Sequence, residues 1–403
     1  MQTLGIIAEY NPFHNGHAYQ IMAAKKASGA THTLVVMSGS AVQRGSFAVV
    51  DKWTRARQAV ENGADLVLEL PYAYACQSAE AFASGALSLL DDAGCRMLSF
   101  GMESPQIEPL VAVARILWEE PPDYQRCLKQ GLAEGLSFPA ARQQAISTLM
   151  GAQSARVLAS PNNILAIEYL KAINRQGAAI QPIPIKRQSA GYHSQTLHGT
   201  FASASAIRKH LMEGQSEMIG ACIPYDPAIL SPKKWQTRVR GYQDYVLGRL
   251  LTMDLGELRK YPGVSEGLEF ALHGAVKKWH TYEDILKAVS SKRIPQSRIR
   301  RILMHLSTEF TTTDFSELTQ PVSSPYFRVL AFNRAGRQWI RRLAQESDTP
   351  VISNVRSNQT RLDARGGRML SFDLKATDLF YLFGGQPENI HQDFTQSPIY
   401  IES

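Results

Sequence analysis

The 403-residue sequence contains no run of about 18 apolar residues, which excludes a membrane-spanning helix. Cysteine is scarce. Cys76, Cys95, Cys127 and Cys222 stand far apart, with no CxxC pair and no neighbouring histidine cluster. That argues against a disulfide framework and a zinc site, and makes a reducing cytoplasm the expected compartment. Residues Met1 to Ile7 carry neither a basic stretch nor a small-residue cleavage site, so they are expected to form a strand rather than a leader. Repeats, low-complexity tracts and a recognisable Ser/His/Asp arrangement are also missing. What is present excludes a disordered or fibrous chain: 44% hydrophobic, 9% aromatic and 20% charged residues, ample for a core and long enough for two domains.

The net charge of +7 is unevenly spread. The first 230 residues balance 18 basic against 18 acidic side chains, whereas the remainder carries 25 against 18. The excess is grouped in Lys292-Arg293, Arg298, Arg300-Arg301, then Arg334, Arg337 and Arg341-Arg342, then Arg356, Arg361, Arg365 and Arg368. One such group is ordinarily a solvated helix face. Three in one region point to a polyanion, since arginine suits bidentate phosphate contacts and stacking on bases.

Before residue 230 the pattern alternates between strand and helix. Thr3–Glu9, Thr31–Met37, Ala64–Leu70, Arg96–Phe100 and 179–185 read as strands; His17–Ser28, Asp51–Glu61 and Ala79–Ala93 read as helices. Strands buried on both faces and separated by helices predict a doubly wound parallel α/β sheet. A helical insertion is expected over about 104–159. From 229 onward helices and basic groups dominate. The expected division is therefore a catalytic domain over 1–228 and a basic, mainly α-helical domain over 229–403, with the boundary marked by Pro224, Pro227 and Pro232.

Ligands of such sheets bind at the carboxyl ends of the strands, where the strand order reverses. There lies Glu9-Tyr10-Asn11-Pro12-Phe13-His14-Asn15-Gly16-His17, which follows the first strand and opens the first helix. The helix start offers unpaired N–H groups and a positive dipole end to phosphate, and Gly16 admits a close approach. His14 and His17 share one face of the turn and can donate hydrogen bonds to phosphate oxygens as charge builds during displacement at the α-phosphorus. An isolated HxGH is weak, because two histidines at that spacing are often surface residues; directly after the first strand it is specific. Phe201 to Arg208 adds a serine-rich helix start, with Ser205 and Arg208 available to the outgoing phosphates; alone it would be an ordinary N-cap.

HxGH with a distal Ser-x-Ile-Arg resembles the adenylyl-transferring, Rossmann-like nucleotidyltransferase superfamily. The longer stretches AEYNPFHNGH, MSGSAVQRG, DLVLELPYAYACQSAEAFASGA, SPNNILAIEYLKA and FASASAIRK, within about the first 210 residues, resemble the bacterial tRNA(Met) cytidine acetate ligase family. Ala204-Ser205 departs from the superfamily, which favours Ser-Thr there. The resemblance implies an enzyme that activates acetate with ATP and acetylates N4 of the wobble cytidine in elongator tRNA(Met), in two steps without a covalent enzyme intermediate. Catalysis would rest on positioning and charge stabilisation. The implied ATP cradle comprises Ile7, Ala8, Glu9, Tyr10, Asn11, Pro12, Phe13, His14, Asn15, Gly16, His17 and Gln20, with Gly101, Asn162, Arg187, Ser205 and Arg208. His14 and His17 are the expected catalytic pair. Mg²⁺ would ride on the ATP phosphates, with no metal ligands assigned to the protein. Arg44 and Lys52, after the second strand, are expected near acetate or the incoming cytidine, although a salt bridge to Glu69 or Glu80 accounts equally well for either cation. Lys292, Arg293, Arg298, Arg300, Arg301, Arg337 and Arg341 are the expected tRNA contacts.

Three rival readings remain at this point. An adenylyltransferase acting on a small metabolite shares HxGH but leaves the basic C-terminal residues unexplained. An RNA-binding protein with a decayed nucleotide site would have lost some of His14, Gly16, His17 and Arg208. An aminoacyl-tRNA synthetase would carry a KMSKS-like loop, which is not found.

Overall fold

The computed structural model describes residues 1–104, 106–187 and 200–402. Its strands are β1 (Thr3–Ala8), β2 (His32–Ser38), β3 (Ala41–Val42), β4 (Ser46–Phe47), β5 (Leu66–Leu70), β6 (Met97–Met102), β7 (Gln181–Lys186), β8 (Phe327–Phe332), β9 (Val351–Ile352) and β10 (Ile399–Tyr400). The main sheet runs β10-β8-β5-β2-β1-β6-β7, with β9 on the flank of β8. From β5 to β7 every pairing is parallel, and the order reverses at β1, which lies between β2 and β6. Strands β1, β2 and β5 are almost wholly buried because helices cover both faces, which explains their predominantly apolar sequences.

The five expected strands are present, but the sheet does not stop there. The C-terminal segment adds β8 antiparallel to β5, and β9 and β10 parallel to β8. The expected Rossmann-like, doubly wound α/β fold is present, and with the C-terminal strands its sheet is mixed and mainly parallel. One continuous core crosses residue 228, joining Ile6, Val36, Leu68 and Leu98 to Val329, Leu330, Trp339 and Phe380. The other elements after 229 are mainly helices, the longest being Pro232–Thr252 and Ala364–Phe383. Between β6 and β7, helices Glu108–Glu119, Pro122–Ala133 and Phe138–Met150 form the insertion; the first packs against helix Pro161–Gln176, and the second and third pack on each other. Among the described residues no helix is long and apolar enough to cross a membrane.

The hairpin β3–β4 stands over the carboxyl ends of β1 and β2. Gly45 at its tip has φ +73°, and an added Cβ would lie 2.4 Å from the backbone of Arg300 and Arg301, so only glycine admits this contact with helix Gln296–Thr308. The contact sets one basic group beside the strand ends.

Candidate active site

The loop between β1 and the first helix (Asn15–Ser28) is fixed from several directions. Tyr10 occupies the left-handed region at φ 50°, a strained position for a bulky residue, and its ring packs edge-on against Phe13 and His17. Asn11 Oδ1 accepts from Val49 N at 2.9 Å, and its carbonyl accepts from Arg208 Nη1 at 2.5 Å. Asn15 Nδ2 donates to the carbonyls of Thr200 and Ala221, and Tyr225 Oη donates to that of Phe13. Beneath the loop, buried Arg55 donates to the carbonyls of Glu9, Ser38 and Gly39, strapping the carboxyl ends of β1 and β2 together.

This frame presents the two histidines. His14 caps the helix: its Nδ1 accepts from Gly16 N at 3.1 Å, while His17 Nδ1 accepts from His14 N at 3.3 Å. With both Nδ1 lone pairs engaged, each neutral ring carries its proton on Nε2 and offers it outward. The rings stack with centroids 3.7 Å apart, where two charged imidazoliums would repel. Burial, reinforced by Arg187 and Arg208, lowers the His14 pKa to about 3, and burial with His14 and Arg187 holds His17 well below the usual value. Neither ring needs protonation to bind phosphate. Gly16 is required here, since an added Cβ would sit 2.9 Å from the His14 ring.

His14, Gly16, His17, Gln20, Gly101 and Arg187 line one cleft, with Tyr19, Ile185, Lys186, Phe201 and Ala202. Arg187 lies across Gly101, and its Nη1 reaches Asn162 Oδ1 at 3.4 Å. Asn162 Nδ2 in turn donates to Glu103, which also accepts from the Ser160 hydroxyl. The serine-rich segment reaches the site as well: Ser203 caps helix Ala204–Met212, Ser205 is exposed, and Arg208 Nη2 approaches Ser205 Oγ at 3.4 Å. Within Ile7–His17 the side chains divide. Ile7, Tyr10 and Phe13 enter the core and Ala8 packs against it; Pro12 is buried; Asn11 and Asn15 hold the loop; Glu9 turns to the hairpin, where its Oε1 accepts from Gln43 N at 2.7 Å.

Lys52 is corrected. Its Nζ is wholly buried and paired with Glu69 and Asp393, each at 2.8 Å, so it cannot face acetate or cytidine. The salt-bridge alternative holds. Arg44 is exposed at the hairpin tip, close enough to Arg301 for their charges to interact. The basic groups separate onto two faces. Arg298, Arg300 and Arg301 lie beside the hairpin, with Arg298 bonded to the Gly263 carbonyl and Ser265, and Arg300 paired with Glu283. Exposed Lys292 and Arg293 precede that helix. Arg337 and Arg341 are also exposed, but their helix (Arg334–Glu346) packs where strands β2 and β5 begin: Trp339 lies against His32 and donates to the Ala93 carbonyl, and Asn333 bonds Asp65. That is the edge opposite the histidines. Arg55, Glu103, Ser160 and Tyr225 were not singled out by the sequence; Arg55 reads there as one more basic position of a helix.

The family described as HIGH Nucleotidyl Transferase matches residues 1–395. A tRNA(Met) cytidine acetate ligase of Thermoanaerobacter sp. (strain X514) is 40% identical over 391 residues, covering 95% of either chain. That of Acetivibrio thermocellus is 36% identical over the full length of both. This chain belongs to the tRNA(Met) cytidine acetate ligase family. Among solved structures, apo Thermotoga maritima TmcAL superposes with a TM-score of 0.93 at 33% identity, and the form bound with alpha-thio ATP with 0.90, both over 100% of each chain. The family fold thus includes the C-terminal strands.

The histidines also set an acid limit on the fold of this ligase-family chain. Burial lowers His305 to about 3 as it does His14. Unfolded, each ring takes its proton near about pH 6.5. Below that pH the unfolded chain binds more protons, so stability is complete above about 6.5 and declines as pH falls towards 3. Urea unfolding is expected to show a loss of roughly 3 kcal/mol between about pH 7.5 and 5.5 from these two rings. A level profile would mean that one of them is charged in the fold.

Proposed function

We propose that this chain is an ATP-dependent acetate ligase that forms acetyl-adenylate from acetate and ATP and transfers the acetyl group to N4 of the wobble cytidine of elongator tRNA(Met), giving N4-acetylcytidine. The observation that carries the reading is the stacked pair of neutral histidines, each with an Nε2–H donor, at a helix start on the strand-order reversal, in a chain whose relatives along its whole length bear this name. Acetate oxygen attacks the α-phosphorus and pyrophosphate leaves. The His14 and His17 donors, with the charges of Arg187 and Arg208 nearby, meet the negative charge that grows on the phosphates. Gly101 leaves room beside Arg187 for the adenosine, and Asn162 holds Arg187 in place.

Mg²⁺ in this reading is held chiefly by ATP phosphates and water, which suits its reluctance to dehydrate. The cleft's donor set fits that arrangement, being imidazole and guanidinium, and among the described residues no group of three His, Cys, Asp or Glu gathers to cage a cation. Residues 1–228 carry the chemistry and 229–403 the tRNA contacts, with Arg298 to Arg301 the group nearest the site. The compartment in this reading is the cytoplasm, where tRNA, ATP and acetate meet.

The test is to incubate the full chain with ATP, Mg²⁺, labelled acetate and bacterial tRNA lacking the modification. Nuclease digestion is expected to release the label as N4-acetylcytidine. Acetate-dependent exchange of pyrophosphate into ATP without label in RNA would keep the activation step and move the acceptor. Neither signal from a folded protein would place a small-metabolite adenylyltransferase first.

A further inference from the structure

Acetyl transfer to an exocyclic amine needs a group to take the amine's proton, and the histidine pair is committed to phosphate through Nε2–H. The structure offers one other group at the same strand end. Glu9 follows β1 directly, and its backbone is anchored by Arg55 through its carbonyl at 2.7 Å. Its Oε1 accepts from Gln43 N at 2.7 Å, and among the described residues no Lys or Arg pairs with it and no protein donor engages Oε2. Glu9 is half-buried rather than sealed in the core.

Its surroundings are built for a base bearing both donors and acceptors. Gln43 Nε2 donates to the Gln77 carbonyl at 3.0 Å, so Glu9, Gln43 and Gln77 form one connected row. Gln77 is only 6% exposed, yet its Nε2 donor has no partner among the described residues. An unmatched acceptor and an unmatched buried donor, joined through Gln43, complement the amino group and ring acceptors of cytosine. Burial, with Glu9 adding to it and Arg301 opposing it, pushes the Cys76 thiol up to about 12, which places Glu9 and Arg301 in one electrostatic neighbourhood. Glu9 thus stands between the phosphate-binding histidines and the basic group on helix Gln296–Thr308.

We propose that Glu9 is the proton acceptor of the transfer step, its Oε2 receiving a hydrogen bond from the 4-amino group of cytidine. This rests on the acetyl-transfer reading above. As the amino nitrogen bonds to the acetyl carbon of acetyl-adenylate, the carbon–oxygen bond to the adenylate breaks and AMP leaves with that electron pair. One proton passes from nitrogen to Glu9 and then to solvent, leaving the amide.

Glu9→Gln preserves the carbonyl that accepts from Gln43 but cannot take a proton. Two rates are measured on the full-length variant: acetate-dependent pyrophosphate exchange, and single-turnover acetylation of unmodified tRNA from supplied acetyl-adenylate. The transfer rate is expected to fall by ~10²–10⁴-fold and at least about tenfold further than the exchange rate, with Glu9→Asp restoring part of the transfer. Equal losses in both rates would assign Glu9 to the ATP cradle, and transfer within about threefold of wild type would leave it no part in proton removal; either overturns the proposal. Failure of the wild type in both assays overturns the acetate-ligase reading instead.

Discussion

Replacing His17 by alanine is expected to reduce acetate-dependent pyrophosphate exchange by ~10²–10³-fold, the effect of removing one donor aimed at developing charge. The expectation follows from where the proton sits. His17 Nδ1 is occupied by the His14 backbone N–H, so the ring's only N–H points away from the helix cap. Its pKa, held down by burial and by His14 and Arg187, keeps the ring neutral at any pH where the enzyme would work. The donor is therefore in place before reaction begins and needs no reorganisation. The same substitution removes one cap interaction, worth about 1 kcal/mol, which leaves the fold intact. Exchange within about tenfold of wild type in a variant with unchanged circular dichroism would sink the phosphate role of His17.

The parts of this site that were legible in the sequence are those that depend on neighbours along the chain. HxGH after a buried strand is local, and so are the mostly apolar runs of β1, β2 and β5, because a parallel strand covered on both faces favours apolar side chains. Strand β8 was missed for the opposite reason. Its FRVLAF sequence is interrupted by Arg328, which looks like one more cation of a basic region but is 1% exposed and neutralised by Asp393, 65 positions onward. Arg55 is the same case: what makes it structural is three carbonyls on two strand ends, none of them nearby in the sequence of its own helix. Nor does spacing reveal which basic groups share a face. Arg301 and Arg337 belong to the same charge-rich region, yet one lies on the hairpin at the carboxyl ends and the other on a helix against the opposite edge. Long-range pairing decides these cases, and single-sequence periodicity does not report it.

The largest loss of stability is expected from Lys52→Ala. Burial works against its ammonium, but Asp393 and Glu69 together raise the pKa above its ordinary value, so the side chain is charged. Lys52, Arg328, Glu69 and Asp393 form a compensated group of two cations and two anions, none more than 2% exposed. Glu69 lies directly under Gly39, where an added Cβ would approach its Oε1 to 2.2 Å, so the carboxylate cannot swing out to water along that side. Alanine at position 52 leaves an excess buried negative charge. Removing one partner of such a pair costs about 3–5 kcal/mol, because the stranded charge is not rehydrated. Urea unfolding followed by tryptophan fluorescence should show that loss, and Lys52→Ala combined with Glu69→Gln should recover part of it, since the remaining charges balance again. The pairing also ties the turn at Gln392–Phe394 to helix Lys52–Glu61, on the same side of the sheet as β8. The C-terminal segment thereby braces the floor beneath the strand ends that carry Glu9 and His14. A variant as stable as wild type, with a raised KM for acetate, would return Lys52 to the substrate and remove it from this brace.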